Sequence, residues 1–462
     1  MTSLLKKRGT DKCDLKNYRP VSNLTFLSKL LKRIVITQFK EFLEGVTALP
    51  KMQSAYRQHR STKSAILKVY SDICRALDGG NVCLLGLLDL SAAFDTVNHY
   101  ILLTRLATTF GINGFALQWL HSYLTGRSQS VVLNGSMSKS VHLTFGVPQG
   151  SVLGPLLFVL YTKDVTSIIE SHGLIGHCYA DDTQIYFHCK PVEVTKLSNA
   201  FSECTGEMYE WMRFNKLKLN LDKTECIWIA SRHRHGTLVK PSLSIGEAIV
   251  QPSTGARNLG AFFDDQVNFK QHINNLCRQC YFQLRQLRVI RRSLPQDAMR
   301  TLLQSFVANR LDYCNSLLFG LPACDIRRLQ SVQNAAAHLF GGLARHDHVT
   351  PVLRDKLHWL PITKRIDFKV AVMVFKCING LAPSYLNDMC MPVALIHTRS
   401  RAAVRGDLVV PRWKSAGYGK RGFQHSAPTV WNSLPTDVRT CQSLQTFKSK
   451  LKTFLFRSAY LQ

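Results

Sequence analysis

Apolar and polar positions follow two different patterns in the two parts of the chain. Short apolar runs at residues 82–88, 174–180 and 185–187 are bounded by polar residues and predict β-strands. From about Asn268 onward, apolar residues recur at helical spacing, which predicts a group of antiparallel helices. We therefore expect an α+β fold with its sheet in the first part of the chain and helices in the second.

Two further segments between the predicted strands are predicted to be helices, and a third is a long apolar run. Residues 100–110 and 115–124 have helical apolar spacing, and residues 152–161 form the longest apolar run of the chain. A bilayer span needs roughly 20 apolar residues. No run approaches that length, so we expect no membrane partner.

Acidic residues stand where three of the predicted strands end. Asp181 and Asp182 lie at the turn between the second and third apolar runs, and Asp89 closes the first run. A loop rich in glycine and proline, residues 145–155, separates them. Nucleotidyl transfer builds negative charge that two Mg²⁺ ions can stabilise, and Mg²⁺ prefers carboxylate oxygens. This order predicts a two-metal site, at which Mn²⁺ is a possible substitute and Asp182 the weakest of the three ligands.

Charge and cysteine content agree with an enzyme that acts on nucleic acid inside a cell. The 462 residues have a net charge of +29 and a pI near 9.8, which favours a polyanionic partner. The 14 cysteines are scattered singly, so free thiols in a reducing compartment are expected. No specific protein partner can be inferred.

Seven short segments, in one order, carry a resemblance to a known family. They are NYRPVSN (17–23), QSAYRQHRST (53–62), LDLSAAFDTV (88–97), GVPQGS (146–151), YADD (179–182), LNLDKTE (219–225) and NLGAFFD (258–264). Together they resemble the reverse transcriptase of non-LTR (LINE-type, jockey-like) retrotransposons. The resemblance implies an α+β right-hand polymerase with fingers, a palm containing an antiparallel sheet, and a helical thumb.

The resemblance also implies roles for individual residues. Asp89, Asp181 and Asp182 would bind metal, and Lys223 would protonate the pyrophosphate leaving group or neutralise phosphate charge. Phe94 would exclude a 2'-hydroxyl, although a lone phenylalanine is usually part of a core. The remaining residues are expected at the nucleotide (Arg19, Gln149, Gly150) and at nucleic acid (Arg57, Arg60, Leu259, Gly260). Ser54 and Ala55 stand where the family has glycine, so the loop that carries Arg57 and Arg60 departs from the family pattern. For Arg19 the alternative is a solvated surface side chain.

We expect an RNA-directed DNA polymerase that extends a DNA primer on an RNA template with dNTPs. The predicted parts are fingers (1–80), palm (81–255), primer grip and thumb (256–390) and a basic C-terminal region (391–462). Alternatives are a non-catalytic RNA-binding relic and an RNA-dependent RNA polymerase, against which the aromatic Phe94 argues. The chain starts at the predicted fingers, so we expect a truncated reading frame without an endonuclease domain. Family resemblance predicts the nucleus as its compartment.

Overall fold

The computed structural model describes residues 2–5, 11, 14, 17–46, 48–133, 135–246, 248–344, 346–415 and 417–461, without the side chains of residues 2–4, 19, 20 and 133. Strands and helices are both abundant, which confirms the expected mixed α+β fold. The strands are β1 (Thr2–Leu5), β2 (Tyr18–Val21), β3 (Val82–Leu88), β4 (Leu90–Ser91), β5 (Arg127–Gln129), β6 (Val132–Leu133), β7 (Ser136–Met137), β8 (Val141–Leu143), β9 (Ile175–Tyr179), β10 (Asp182–Cys189), β11 (Lys218–Leu219), β12 (Glu225–Ile229), β13 (Leu243–Ile245), β14 (Ala248–Val250), β15 (Gly255–Asn258) and β16 (Ala261–Asp264).

The helices take up most of the remaining chain. They are α1 (Phe26–Gly45), α2 (Thr62–Asp78), α3 (His99–Thr108), α4 (Gly114–Leu124), α5 (Gly154–Tyr161), α6 (Asp164–Ser171), α7 (Val194–Phe214), α8 (Arg232–His235), α9 (Lys270–Ile290), α10 (Gln296–Leu303), α11 (Asn309–Asp312), α12 (Ala323–Gly341), α13 (Ile362–Ile378), α14 (Ser384–Asn387), α15 (Arg401–Val404), α16 (Phe423–Asn432), α17 (Thr436–Arg439) and α18 (Leu444–Tyr460). In the part of the chain that the structure covers, no helix has the length and apolar composition to span a membrane.

A four-stranded antiparallel sheet in the order β12–β3–β10–β9 forms the centre of the molecule. Strands β3, β9 and β10 overlap the three short apolar runs, and β3 coincides with the run at residues 82–88, whereas β12 was not predicted. Side chains on a strand alternate between the two faces. Leu84 accordingly belongs to one hydrophobic core and Leu85 to the other. The sheet thus lies between two hydrophobic cores, and the register of its strands determines which residues are neighbours at the strand ends.

Each core is completed by helices. Helices α3 to α7 cover one face, where Phe158 and Phe201 are fully buried. Helix α2 covers the other face, together with α9 and the helices that follow. Sequence patterning predicted the helices after Asn268, but the strands β1 and β2 near the start were not predicted.

The basic C-terminal region packs into the second core. Helices α16 and α18 lie against α13, and the ring of Phe447 stacks on Phe375 with centroids 4.4 Å apart. Arg421 is 6% exposed and donates a hydrogen bond to the carbonyl of Val267. Basic and aromatic residues of this region therefore help to stabilise the fold.

Every cysteine that the structure describes is a free thiol, and most are buried. Burial raises the pKa of Cys74 and Cys178 to about 11, so these side chains stay protonated at neutral pH. They behave as small apolar core residues.

Candidate functional site

The register of β3 and β10 brings two of the predicted carboxylates to one edge of the sheet. Thr183 pairs with Leu88, so Asp182 and Asp89 follow at the same end of this antiparallel pair. Strand β3 is buried along nearly its whole length, which fixes the position at which Asp89 emerges. The Asp89 carboxylate also accepts a hydrogen bond from Lys223, with Nζ 2.8 Å from Oδ2.

A two-residue turn places the third carboxylate. Tyr179 pairs with Asp182, which leaves Ala180 and Asp181 as the turn of the β9–β10 hairpin. Ala180 has φ 59°, a left-handed conformation that such tight hairpin turns require. The side-chain oxygen of buried Gln53 accepts a hydrogen bond from the Ala180 amide over 3.2 Å and stabilises the turn.

Mutual repulsion among these acids is visible in the pKa of Asp182. Desolvation by the surrounding protein is the largest cause, and the charges of Asp181 and Asp89 add to it, raising this pKa to about 6; Lys223 lowers it. The residue as a whole reaches solvent, but protein atoms crowd its carboxyl group. Desolvation and the charge of Asp181 also raise the pKa of Tyr56. A cation at this edge would relieve the repulsion.

The sheet edge opens into a cavity of about 510 Å³. Asp89 and Asp182 line it together with Lys223, and the wall continues to Leu259 in the predicted primer grip. Its remaining lining residues are Leu87, Leu88, Thr183, Gln184, Asp222, Glu225, Arg257 and Asn258. Within the described residues, no group of three or more His, Cys, Asp or Glu side chains has the spacing of a preformed metal site.

Phe94 lies on the turn that follows Asp89 and is half-buried. Its ring packs against Phe158 with centroids 4.9 Å apart. The Phe94 carbonyl accepts a hydrogen bond from Val147 over 2.8 Å. One side of Phe94 therefore packs in the core, as expected of a core phenylalanine. The residue is also partly exposed, so a role in excluding a 2'-hydroxyl stays a prediction.

The glycine-rich loop is tied to that same turn. Gly146 donates to the Val97 carbonyl over 2.8 Å, and its φ of 88° with a Cβ position only 2.9 Å from the Asp95 carbonyl oxygen requires glycine. Gln149 donates from its side-chain amide to Asp95 over 3.0 Å. Gly150 is exposed. Candidate residues from two distant motifs thus meet here.

The predicted nucleic-acid contacts have mainly internal partners. Arg57 donates to the Pro50 carbonyl over 2.6 Å, and Arg60 donates to the Gln53 carbonyl over 2.9 Å. Desolvation and the neighbouring charge of Arg60 lower the pKa of Arg57 to about 10, which leaves it charged at neutral pH. Arg19 lies on β2, and its side chain is outside the described part of the chain.

Leu259 and Gly260 form the tight turn between β15 and β16, both with positive φ. The hydroxyl of Tyr313 donates to the Leu259 carbonyl over 2.6 Å. Gly260 lines a second cavity of about 370 Å³ beside the first. Through Leu259, the turn lines the same cavity as Asp89 and Asp182.

Sequence reasoning missed one pair of buried amides that connects the two hairpins. Asn258 donates to the side-chain oxygen of Gln184 over 2.8 Å, and each residue is at most 2% exposed. Gln184 belongs to β10 and Asn258 to β15. Gln184 directly precedes the apolar run at residues 185–187, and a polar side chain next to such a run is the signal that could have identified it.

Comparison with known proteins gives a consistent result. The family described as "Reverse transcriptase (RNA-dependent DNA polymerase)" matches residues 5–269. The "Probable RNA-directed DNA polymerase from transposon X-element" of Drosophila melanogaster is 27% identical over 362 residues, covering 76% of this chain and 38% of that protein. The "RNA-directed DNA polymerase from mobile element jockey" of the same organism is 26% identical, covering 59% of this chain and 30% of its own length. This chain thus spans well under half of these relatives.

Among solved structures, the apo telomerase from Candida Tropicalis is similar, with a TM-score of 0.41 and 11% sequence identity. The match covers 71% of this chain and 51% of that one.

Proposed function

Because the chain belongs to the reverse transcriptase (RNA-dependent DNA polymerase) family, we propose that it is the RNA-directed DNA polymerase of a non-LTR retrotransposon. The observation that carries the proposal is the meeting of Asp89 and Asp182 at the open edge of the central sheet, beside a cavity, within the matched residues. The substrates would be an RNA template, a DNA primer and dNTPs. We propose that it acts inside the cell, in the nucleus.

A right-hand polymerase arrangement accounts for the layout of the elements. The central sheet with α3 to α7 would be the palm, at residues 81–255, and residues 1–80 the fingers. Residues 256–390, which begin within the β15–β16 hairpin and continue through α9 to α14, would be the primer grip and thumb. The C-terminal region at 391–462 would support the thumb through the packing of α16 and α18 on α13.

The carboxylates fit a divalent cation. Asp89 and Asp182 offer hard oxygen ligands at one sheet edge, Asp181 adds charge from the turn, and their repulsion favours a bound cation. We assign Mg²⁺ to these three residues, with Mn²⁺ as a substitute. When bound, the ions would stabilise negative charge on the attacking and leaving oxygens. Lys223 would give up its ion pair with Asp89 when the metal binds.

The other side chains would bind and orient the substrates. The open face of Phe94 would lie under the sugar and exclude a 2'-hydroxyl, and Gln149, held by Asp95, would contact the nucleotide beside Gly150. Arg19 would bind the triphosphate. As the primer 3'-oxygen attacks the α-phosphorus, the bond to pyrophosphate breaks, and Lys223 would donate a proton to that leaving group.

Nucleic acid would lie across the two cavities. Leu259 and Gly260 would hold the primer end near Asp89, since their turn lines the adjoining cavity walls. Arg57 and Arg60 would act mainly by shaping the loop through their carbonyl contacts, and would present positive charge to the template.

Primer extension by the purified protein on poly(rA)/oligo(dT) with dTTP tests the proposal. We expect extension with dTTP and little with UTP. Template binding without extension would identify a non-catalytic RNA-binding relic. Equal or better extension with ribonucleotides would identify an RNA-dependent RNA polymerase instead.

A further inference from the structure

A line of buried hydroxyl groups connects the β9–β10 hairpin to helix α14. Ser54 Oγ lies 2.9 Å from Nε2 of His177 on β9 and 2.8 Å from the hydroxyl of Tyr385 on α14. Tyr385 in turn contacts Ser64 Oγ at 3.2 Å. All four residues are at most 3% exposed. Buried polar groups of this kind are costly unless each is paired.

The donor and the acceptor of each of these hydrogen bonds can be assigned starting from Ser64. The Ser64 hydroxyl donates to the Ser61 carbonyl over 2.9 Å, so it accepts from Tyr385. Tyr385 then accepts from Ser54, and Ser54 has only lone pairs left for His177. Burial lowers the pKa of His177 to about 3, so the ring is neutral and its single proton is on Nε2. Nδ1 has no hydrogen-bond partner among the described residues, and in this tautomer it is an unprotonated acceptor and not an unpaired N–H donor.

Ser54 belongs to the segment that holds the outer edge of the hairpin. Its amide donates to the Cys178 carbonyl over 2.9 Å, and the Cys178 amide donates to Met52 over 3.0 Å. Gln53, between them, accepts from the Ala180 amide in the turn itself. A group that fixes Ser54 therefore fixes the strand and turn that carry Asp181.

We propose that Tyr385 is a positioning residue for the Ala180–Asp181 turn of the β9–β10 hairpin and acts through Ser54. The inference rests on the proposed function, because the exact position of the turn matters only if its carboxylates bind metal. Tyr385 lies beyond residues 5–269, the part that matches the family. Helix α14, in the C-terminal third of the chain, thus helps to hold the hairpin that carries two of the proposed metal ligands. Its phenol ring also lies 5.5 Å from the guanidinium of Arg60.

Tyr385→Phe removes the hydroxyl and keeps the ring. Of the two hydrogen bonds that this hydroxyl makes, the one from Ser54 leads to the hairpin, and its loss is worth about one factor of ten. We expect amide hydrogen exchange across residues 175–182 to become about tenfold faster, and kcat for dTTP incorporation to fall about tenfold at unchanged KM for primer and template. The matched control is Tyr460→Phe, whose hydroxyl donates to the Trp359 carbonyl over 2.7 Å, far along the chain from the hairpin. It should leave hairpin exchange and kcat at the wild-type values.

Two outcomes would overturn the proposal: wild-type hairpin exchange and kcat in Tyr385→Phe, or equal losses in Tyr385→Phe and Tyr460→Phe. If Tyr385→Phe does not fold, Ser54→Ala breaks the same line at its next member, and the same two measurements decide. A wild-type protein without extension activity would refute the proposed function instead. Hydrogen exchange in the two tyrosine variants would then still decide whether Tyr385 holds the hairpin.

Discussion

Single residues at the edge of the central sheet carry the proposed chemistry, and they do so at a cost in stability. Asp89 and Asp182 are brought together by strand register, and Asp181 adds a third negative charge from the turn. The pKa of Asp182 rises from 3.8 to about 6 because of desolvation and these two charges. Like charges collected in this way are typical of a site that binds a cation.

The stability of the metal-free protein should reveal this repulsion. Because the pKa of Asp182 is higher in the folded than in the unfolded state, stability from this group is present below about pH 4 and is lost as pH rises through about 6. At neutral pH, Asp182→Asn should stabilise the metal-free protein by roughly 1 kcal/mol after solvent screening. Thermal unfolding of the wild type and of Asp182→Asn without Mg²⁺ measures the stabilisation by the substitution. Addition of Mg²⁺ should then stabilise the wild type more than the variant. Equal stabilisation of the two proteins would remove Asp182 from the metal site.

Sugar selection by Phe94 is a separate prediction at the same scale. Phe94→Val opens space next to the turn and should raise the ratio of kcat/KM for ribonucleotides over deoxyribonucleotides. Some stability is also lost, about 1 to 3 kcal/mol, because the ring packs on Phe158. Phe94→Tyr keeps the ring and is the control. An unchanged ratio in a Val variant that still uses dNTPs would assign Phe94 to the core alone.

At the scale of elements, the site depends on two hairpins that are joined across the sheet. Gln184 on β10 and Asn258 on β15 form a buried amide pair, and Tyr313 holds the Leu259 carbonyl in the second turn. These contacts fix the distance between the carboxylates and the proposed primer grip.

A double-mutant cycle tests this connection. Asn258→Leu alone leaves the buried Gln184 carbonyl unpaired and should destabilise the protein by about 1 to 3 kcal/mol. Adding Gln184→Leu removes the orphaned group, so the two effects should be clearly less than additive. Denaturant unfolding of the four proteins gives the interaction energy. Additive effects would show that the two hairpins are not energetically coupled.

Prediction from sequence succeeded for elements whose pattern is local. Strand β3 and the β9–β10 hairpin are buried apolar runs that end at acids, and both lie where the pattern places them. Strands β1 and β2 have no such signal, because they depend on pairing with each other and with β6. The internal partners of Arg57 and Arg60 were equally invisible, since carbonyl contacts leave no mark in the sequence.

At the scale of the whole molecule, the sheet separates two cores and the C-terminal region completes one of them. Basic residues interleaved with aromatic ones after Met391 are compatible both with a solvated face and with a surface that binds RNA. Phe423, Trp431 and Phe447 of the same region are at most 3% exposed and pack in the core that α13 enters. Burial depends on contacts distant in sequence, so composition alone could not reveal it.

Removal of the chain after Met391 should therefore unfold the protein, which circular dichroism would detect as loss of helix and of a cooperative transition. A folded truncation would contradict the packing described here.

RNA binding by this region is tested with a milder change that keeps the fold: Lys452→Gln with Arg457→Gln removes two exposed charges on α18. If both contact phosphates, the slope of log K against log salt should fall by about 0.7 for each on a single strand. An unchanged slope would exclude them from the RNA surface.

The most direct test of the two-metal polymerase is primer extension by Asp89→Asn, measured together with binding of the same primer and template. The substitution removes a proposed metal ligand at the end of β3 and changes little surface. We predict that extension on poly(rA)/oligo(dT) is abolished, while the dissociation constant for the primer and template stays within about twofold of wild type. Extension at the wild-type rate by the folded Asp89→Asn protein would contradict the account.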